Sequence, residues 1–377
     1  MKFRRLRAIF QKELLHIVRD WRSLTMALAL PMLLLLLFGY ALTLDVDRIP
    51  TVVYDQDRTA QSREVIERLR GSRYFNVLPG TANYRVIDEG INHSRVLLGV
   101  VIPVNFSKDL AEGREAAIQL VLDGSDSNTA SIAAGYAETL LLVYGQELRE
   151  QEFRRRGMGK LTMPVDVRLR VLYNSELKSK NFIVPGLIAV ILMIIASLLT
   201  SLTIAREWEQ GSMEQLLSTP VRPSELLMGK LAAYFLLGMV DMGIAIALGV
   251  GVFEVPFRGS ALLLVAGSGL FLFGALCWGI FISTVARTQL LAYQMSLLSS
   301  FLPAFLLSGF IFSIENMPWV IQQVTVIVPA RYFVHLLQGV FLKSAGFAIL
   351  WIDLMVLLTY GSLIFLLAAR KMRQKVA

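Results

Sequence analysis

One cysteine, Cys277, and three histidines, His16, His93 and His335, are all that 377 residues offer of the side chains most often used to hold metals or attack substrates. A lone cysteine forms no disulfide within its own chain, so any part outside the cytoplasm is expected to be stable without a covalent bridge. Its place inside an apolar run points to a small packed residue rather than a reactive thiol. The histidines fall on three separate segments, with no His-Glu-x-x-His and no Cys/His ligand spacing, which argues against a metal centre. A Gly-x-Ser-x-Gly elbow is missing. So is the phosphate-cradling Gly-x-x-x-x-Gly-Lys-Ser/Thr loop, so energy-requiring work would call for a nucleotide-binding subunit elsewhere.

What is present is apolar surface. Hydrophobic residues make up 55% of the chain and the mean hydropathy is +0.57, too high for a soluble protein of this length yet broken by long polar stretches. That pattern predicts an α-helical polytopic membrane protein. A bilayer core needs about 20 mostly apolar residues per helix, and six segments qualify: 23–44, 181–205, 226–252, 260–284, 289–312 and 347–369. The first outruns the ~7–15 residue core of a signal peptide and no small-residue cleavage pattern follows it, so it is read as a retained span. Six spans return both termini to one side.

Charge sets the orientation. The net charge is +8, and segment 45–180, with 19 basic and 19 acidic residues, contributes none of it. The surplus sits at the N-terminus, in the 206–230 loop, at Arg287 and in the tail 370–377. By the positive-inside rule these parts face the cytoplasm. The basic balance reports topology and contact with anionic lipid, not a nucleic-acid partner.

Within residues 1–22, Phe3, Leu6, Phe10, Leu14 and Ile17 recur at helical spacing with Arg and Lys opposite, predicting an amphipathic helix on the inner membrane surface. A plain extension of the first span is the alternative. Segment 45–180 alternates strand-like runs ("IPTVVYDQD", "VLLGVVIP", "AIQLVLDGSDSN") with helical ones ("AQSREVIERLRGS" and a long helix from "TASIAAGYAETLL"), predicting an inserted extracytoplasmic α/β domain. Residues 313–346, interrupted by Pro318 and Pro329 and carrying Trp319 and Tyr332, read as short re-entrant or interfacial helices at the outer surface.

The segment 206–225 is the oddest. It separates two spans with Glu207, Glu209, Glu214 and Glu225, yet Met213, Leu216 and Leu217 share one helical face. Pro220 and Pro223 end this helix and begin the next, with Glu225 in the first turn where negative charge suits a helix N-terminus. Such a segment is either a solvated connector or a helix placed to pass a push from a cytoplasmic partner into the membrane. Two carboxylates stand inside spans: Asp241 in the third and Asp353 in the outer part of the sixth. For Asp241 a role in cationic-substrate binding or a wet path stands beside a helix–helix hydrogen bond at a dimer seam.

The stretch "AREWEQGSMEQLLSTPVRPSELLMGKL" resembles the cytoplasmic loop of ABC-2 type transporter permeases, whose usual form is R-E-x-E-x-G-T-x-E-x-L-x-x-T-P; Ser212 stands where Thr is common. "LSGFIFSIENMPWVIQQVTVIVPARYFVHLLQGVF" resembles the family's second signature, carrying Gly309, Phe310, Pro318, Pro329, Arg331, Tyr332 and Phe333. With the N-terminal "KELLHIVRDWRSLTMALALPMLLLLLFGYAL", these matches cover nearly the whole chain, and the large domain after the first span is similar to that of Gram-negative multidrug-export permeases. The resemblance implies a type V exporter-like half-transporter: two permeases, identical or paralogous, and two cytoplasmic ATPase subunits that bind ATP and Mg. It makes the 206–225 segment the coupling helix, with Arg206, Glu207, Trp208, Glu209, Gly211, Glu214, Leu217, Thr219 and Pro220 forming the ATPase contact. No catalytic residue, cofactor or metal belongs to this chain on that reading.

The reading that follows is the permease subunit of an ATP-driven exporter of amphipathic small molecules in a bacterial inner membrane, both termini cytoplasmic, with a periplasmic adaptor as a further partner. The alternative is a membrane-anchored sensor or assembly scaffold without transport. Secondary transport is weakened by the lack of clear inverted repeats.

Overall fold

The chain, seen in a computed structural model, is described over residues 3–42, 47–79, 83–155, 173–174, 178–218, 221–286 and 288–376. It begins with α1 (Phe3–Arg19) and α2 (Trp21–Ala41), separated by Asp20 alone. An α/β stretch follows: β1 (Ile49–Asp55), α3 (Ala60–Gly71), β2 (Phe75–Val77), α4 (Arg85–Asn92), β3 (Leu98–Ile102), α5 (Phe106–Ala111), β4 (Gln119–Leu122) and α6 (Ser127–Arg155). The remainder is helical: α7 (Lys180–Glu209), α8 (Ser212–Leu217), α9 (Pro223–Gly251), α10 (Ala261–Val285), α11 (Gln289–Leu306), α12 (Trp319–Thr325), α13 (Pro329–Phe341) and α14 (Phe347–Val376), with one 3-10 turn at Ile314–Asn316. Contacts divide these into two units, Met1–Thr43 with Arg170–Ala377, and Leu44–Leu169.

In the smaller unit the sheet order is β2-β1-β3-β4. β1 pairs in parallel with β2 and β3, and β4 closes the edge antiparallel to β3. Alternation sorts the side chains: Ile49 and Val53 with Leu98, Val100 and Ile102 meet Val65, Leu69 and Ala137 of α3 and α6, while Val52 and Val101 meet Ile87 of α4. Two aspartates fasten the loops at the carboxyl ends of β1 and β3. Asp55 accepts from the backbone of Arg58 at 3.0 Å and from Ser62 Oγ at 2.8 Å, and Asp57 accepts from Ser107 Oγ at 3.1 Å. The expected strands and helices appear, and three short elements join them, β2, α4 and α5. The end of the domain, expected at 180, falls beside residues 156–172 and 175–177, which lie outside the described residues.

In the larger unit α7 is central, packing on α2, α9, α10, α11 and α13. Its most apolar window is 78% buried, against 22% for α11. The α7–α10 seam is close because Gly279 presents no side chain: a Cβ there would lie 2.1 Å from Thr200 Oγ1 and 2.3 Å from the Ser197 carbonyl. Thr200 Oγ1 donates across the seam to the Leu276 carbonyl at 3.0 Å, and Ser283 Oγ accepts from the backbone N–H of Ala205 at 2.9 Å. Further along α7, Ser197 Oγ is shared with Ser296 and Ser300 of α11 at 2.7 Å each. Polar groups thus bond between helices where no water is available to them.

Among the described residues, five helices are long and apolar enough to cross a membrane: α7, α9, α10, α11 and the Phe347–Met372 part of α14. α2 supplies a shorter apolar stretch, Ala27–Ala41, and α12 with α13 forms a pair bent by 80°. Boundaries shift from those read in the sequence. The helix of the second span does not stop at Ala205 but continues to Glu209, since nothing before Gly211 breaks a helix. The fifth ends at Leu306, ahead of Gly309 at φ +83°. On α1 the buried stripe is Ile9, Glu13 and Ile17, turned to α9, while Leu6, Phe10 and Leu14 of the expected apolar stripe are half-buried.

Candidate functional site

The 206–225 segment is a joint between two long helices. α7 runs straight through Arg206, Glu207, Trp208 and Glu209, so these residues continue the long helix and do not begin a separate short one. Gly211 then takes a left-handed φ of +71°, a conformation that costs other L-residues about 1–2 kcal/mol, and turns the chain into the six-residue α8. Leu217 closes α8; Thr219 and Pro220 lie outside the described residues. α9 restarts with Pro223 in its first turn and Glu225 Oε2 accepting from the Arg222 N–H at 3.2 Å.

The four glutamates have different fates. Glu209 and Glu214 are exposed, and Glu209 accepts from Gln289 Nε2 at 2.7 Å. Arg206 Nε donates to Gln289 Oε1 at 3.2 Å, tying the end of α7 to the start of α11. Glu225 is buried, 3.8 Å from Arg5. Glu207 is 8% exposed and is held inside the chain.

Its holder is Lys230. That ammonium, 1% exposed two turns into α9, lies 2.9 Å from Glu207 Oε1 on α7 and 2.9 Å from Glu13 Oε1 on α1. Lys12 Nζ adds bonds of 3.1 Å to Glu207 and 3.2 Å to Glu13. Two cations and two anions therefore balance where three helices meet. Burial would raise the Glu13 pKa, but Lys230 and then Lys12 outweigh it and hold the carboxyl below its ordinary range. Burial likewise opposes the charge on Lys12, and Glu13 and Glu207 overcome it, so its pKa is raised.

Sequence reasoning passed over Glu13, Lys12 and Lys230. A usable signal existed for one of them: Lys230 sits inside the apolar run of the third span, where a lysine needs an anionic neighbour. Glu13 carries no such mark, because it falls among the charged residues of α1.

The other singled-out residues lie away from this joint. Asp241 is buried by its own chain, 3% exposed, and its Oδ1 has no hydrogen-bond partner among the described residues. Asp353, 6% exposed, is hydrogen-bonded through Oδ2 to His335 Nδ1 at 2.8 Å, joining α14 to α13. In the second signature, Gly309 supplies the left-handed turn after α11, Pro318 precedes α12 and Pro329 opens α13. Phe310 and Phe333 are buried, the latter stacked on Phe271 at 4.0 Å. Arg331 Nη1 donates to Thr325 Oγ1 at 2.6 Å and Tyr332 Oη to the Val326 carbonyl at 2.9 Å, bracing the bend. Among the described residues no group of three His, Cys, Asp or Glu is placed to hold a metal.

A bundle with five helices long and apolar enough to cross a membrane and hydroxyls buried between them is the architecture of a polytopic membrane protein. The chain belongs to the ABC-2 family of transporter proteins, matching the family description "ABC-2 family transporter protein" over residues 21–370. It is 38% identical over 346 residues to the Escherichia coli K12 protein named "Probable multidrug ABC transporter permease YbhS", covering 91% of this chain and 90% of that one. Similarity to "Probable multidrug ABC transporter permease YbhR" of the same organism is 33% over 374 residues, 98% and 99% of the two chains. "Inner membrane transport permease YhhJ" is 29% identical over 332 residues, 87% and 86%.

Proposed function

We propose that this chain is the permease half of an ATP-driven exporter for amphipathic small molecules, resident in a bacterial inner membrane with both termini cytoplasmic and the α/β unit in the periplasm. ATP and Mg act on a separate cytoplasmic subunit, and a second permease, identical or paralogous, completes the pathway. A periplasmic adaptor is a further partner for the α/β unit. Relatives named as multidrug permeases support the substrate class, and the apolar, Leu- and Phe-rich helices suit it.

The observation that carries the mechanism is the division of labour among the glutamates. Glu209 and Glu214 are exposed at the joint and form the ATPase-facing contact with Arg206, Trp208 and Gly211, to which the family resemblance adds Leu217, Thr219 and Pro220. Glu207 works from inside, because its bonds to Lys230 and, through Lys230 and Lys12, to Glu13 make α1, α7 and α9 move together. Closure of the ATPase pair against α8 is then delivered to three helices at once. Asp241, enclosed within its own chain, serves the inner packing or a wet path more readily than a seam between copies.

The test is Glu214→Lys, which reverses an exposed charge without touching the buried cluster. Expected is loss of copurification with the ATP-binding subunit and of transport, with the permease still folded. Normal copurification and transport would sink the assignment and favour a sensor or scaffold.

A further inference from the structure

The bend between α12 and α13 lies deep among the spanning helices. Val340 meets Gly259, Leu336 meets Gly267 and Phe333 stacks on Phe271, so α13 runs antiparallel to α10 and its first residues lie furthest from Ala261. Phe271 is ten residues into α10, about 15 Å along it, which is half of a ~30 Å bilayer core. α14 gives the same depth. Gly339 meets Leu350 and His335 meets Asp353, so one further turn of α13 sets Arg331 level with about residue 357, the middle of the apolar stretch 347–369.

Arg331 is half-buried there, and its partners among the described residues are neutral: Thr325 Oγ1 at 2.6 Å and the Tyr332 ring, whose centre is 5.8 Å from the guanidinium carbon. Asp353, the sole acid of α14, is engaged by His335. A cation at this depth is costly against lipid and is tolerated where it meets an anion or a wet cavity. Beside it a groove of about 350 Å³ runs between the bend and α14, from Val326, Ile327 and Tyr332 along the turns of α14 between Trp351 and Leu363. No charged side chain lines it, and its volume suits a small amphiphile. We infer that Arg331 and this groove bind an amphipathic anion about halfway across the membrane, its acidic group on the guanidinium and its apolar body along α14. The guanidinium fork matches the oxygens of a carboxylate, sulfonate or phosphate, whereas an ammonium head would be repelled. A phospholipid head stays at the bilayer surface, so the depth favours a free amphiphile. The inference rests on the export reading and narrows it: among the amphipathic molecules carried, those with an acidic group are held here.

The full-length permease in phosphatidylcholine nanodiscs, without its ATPase, is photolabelled with decanesulfonate carrying a diazirine at the tail end, and the adducts are mapped by peptide mass. Expected are adducts concentrated on Val326–Tyr332 and Trp351–Leu363, about tenfold above those from the alcohol and ammonium analogues of the same length, as a hydrogen bond to a charged group allows. Unlabelled decanesulfonate should suppress them. Arg331→Gln should bring the sulfonate down to the level of the alcohol, while Arg331→Lys, which keeps the charge, should retain part of the preference. Equal labelling by all three head groups would overturn the inference, leaving a groove filled by apolar chains of any kind. So would a sulfonate preference that survives Arg331→Gln, or a disulfide formed between two copies of Arg331→Cys in a Cys277→Ala background, which would give this face to a second permease. Should Arg331→Gln fail to fold, the head-group series on the unaltered protein and on Arg331→Lys decides. Neither ATPase nor transport enters the measurement, so failure here and failure of the export reading are separable.

Discussion

Lys230 concentrates the residue-scale argument. Removing one partner of a buried ionic cluster is more damaging than never having built it, because the remaining charges stay desolvated. Lys230→Met leaves Glu13 and Glu207 with only the half-exposed Lys12, and a loss of about 3 kcal/mol is expected, read as a lowered unfolding midpoint in detergent. Neutralising both carboxylates in the same variant should recover most of it. Glu13 also predicts a pH response. Its folded pKa is depressed below the ordinary 4.5, so its contribution is present above that value and fades as pH falls through the folded pKa. Melting temperature measured down from pH 5 should drop more steeply for the unaltered chain than for Glu13→Gln. A cluster of this kind is hard to read in sequence: Lys12 and Glu207 are 195 positions apart, and periodicity places residues on faces without saying which faces meet.

At the scale of elements, two glycines set geometry by different means. At Gly211 there is open space around the missing side chain, so Gly211→Ala acts through its left-handed backbone alone. It should cost about 1 kcal/mol and re-aim α8, seen as ATP hydrolysis less tightly coupled to transport while the complex still assembles. Gly279→Ala should instead overpack the α7–α10 seam and cost about 1–3 kcal/mol, seen as earlier thermal unfolding. Elements with long, unbroken patterns were plain from the sequence: α6, α7, α9, α10 and α14, and the strands β1 and β3 with their Val-rich runs. What escaped was short or ambiguous. β2 is three residues long, α4 contains Gly90, and the end of α7 was misplaced because charge at Arg206–Glu209 looked like a departure from the membrane, whereas a helix ignores charge until a breaker arrives. For α1, the apolar stripe was visible, but its docking on α9 through Ile9, Glu13 and Ile17 depends on a partner surface the stripe does not encode.

For the whole molecule, the single cysteine makes sidedness directly measurable. Cys277 is buried, so Cys277→Ala gives a thiol-free background in which one reporter is added at a time. A membrane-impermeant maleimide should label Glu115→Cys in the α/β unit of cells with a permeabilised outer envelope, and Gln215→Cys on α8 only once the inner membrane is opened. The reverse pattern would invert the orientation drawn from Lys and Arg.

α7 has a consequence of another kind. It is about 45 Å long, and its most apolar window is 78% buried against the helices it packs on. Any displacement begun at its charged end must carry five neighbours with it or break their packing. A shift of α7 is therefore expected to move its neighbours as a block rather than α7 alone. Substitutions anywhere along α7 should alter how readily that block moves before they alter the arrangements it moves between.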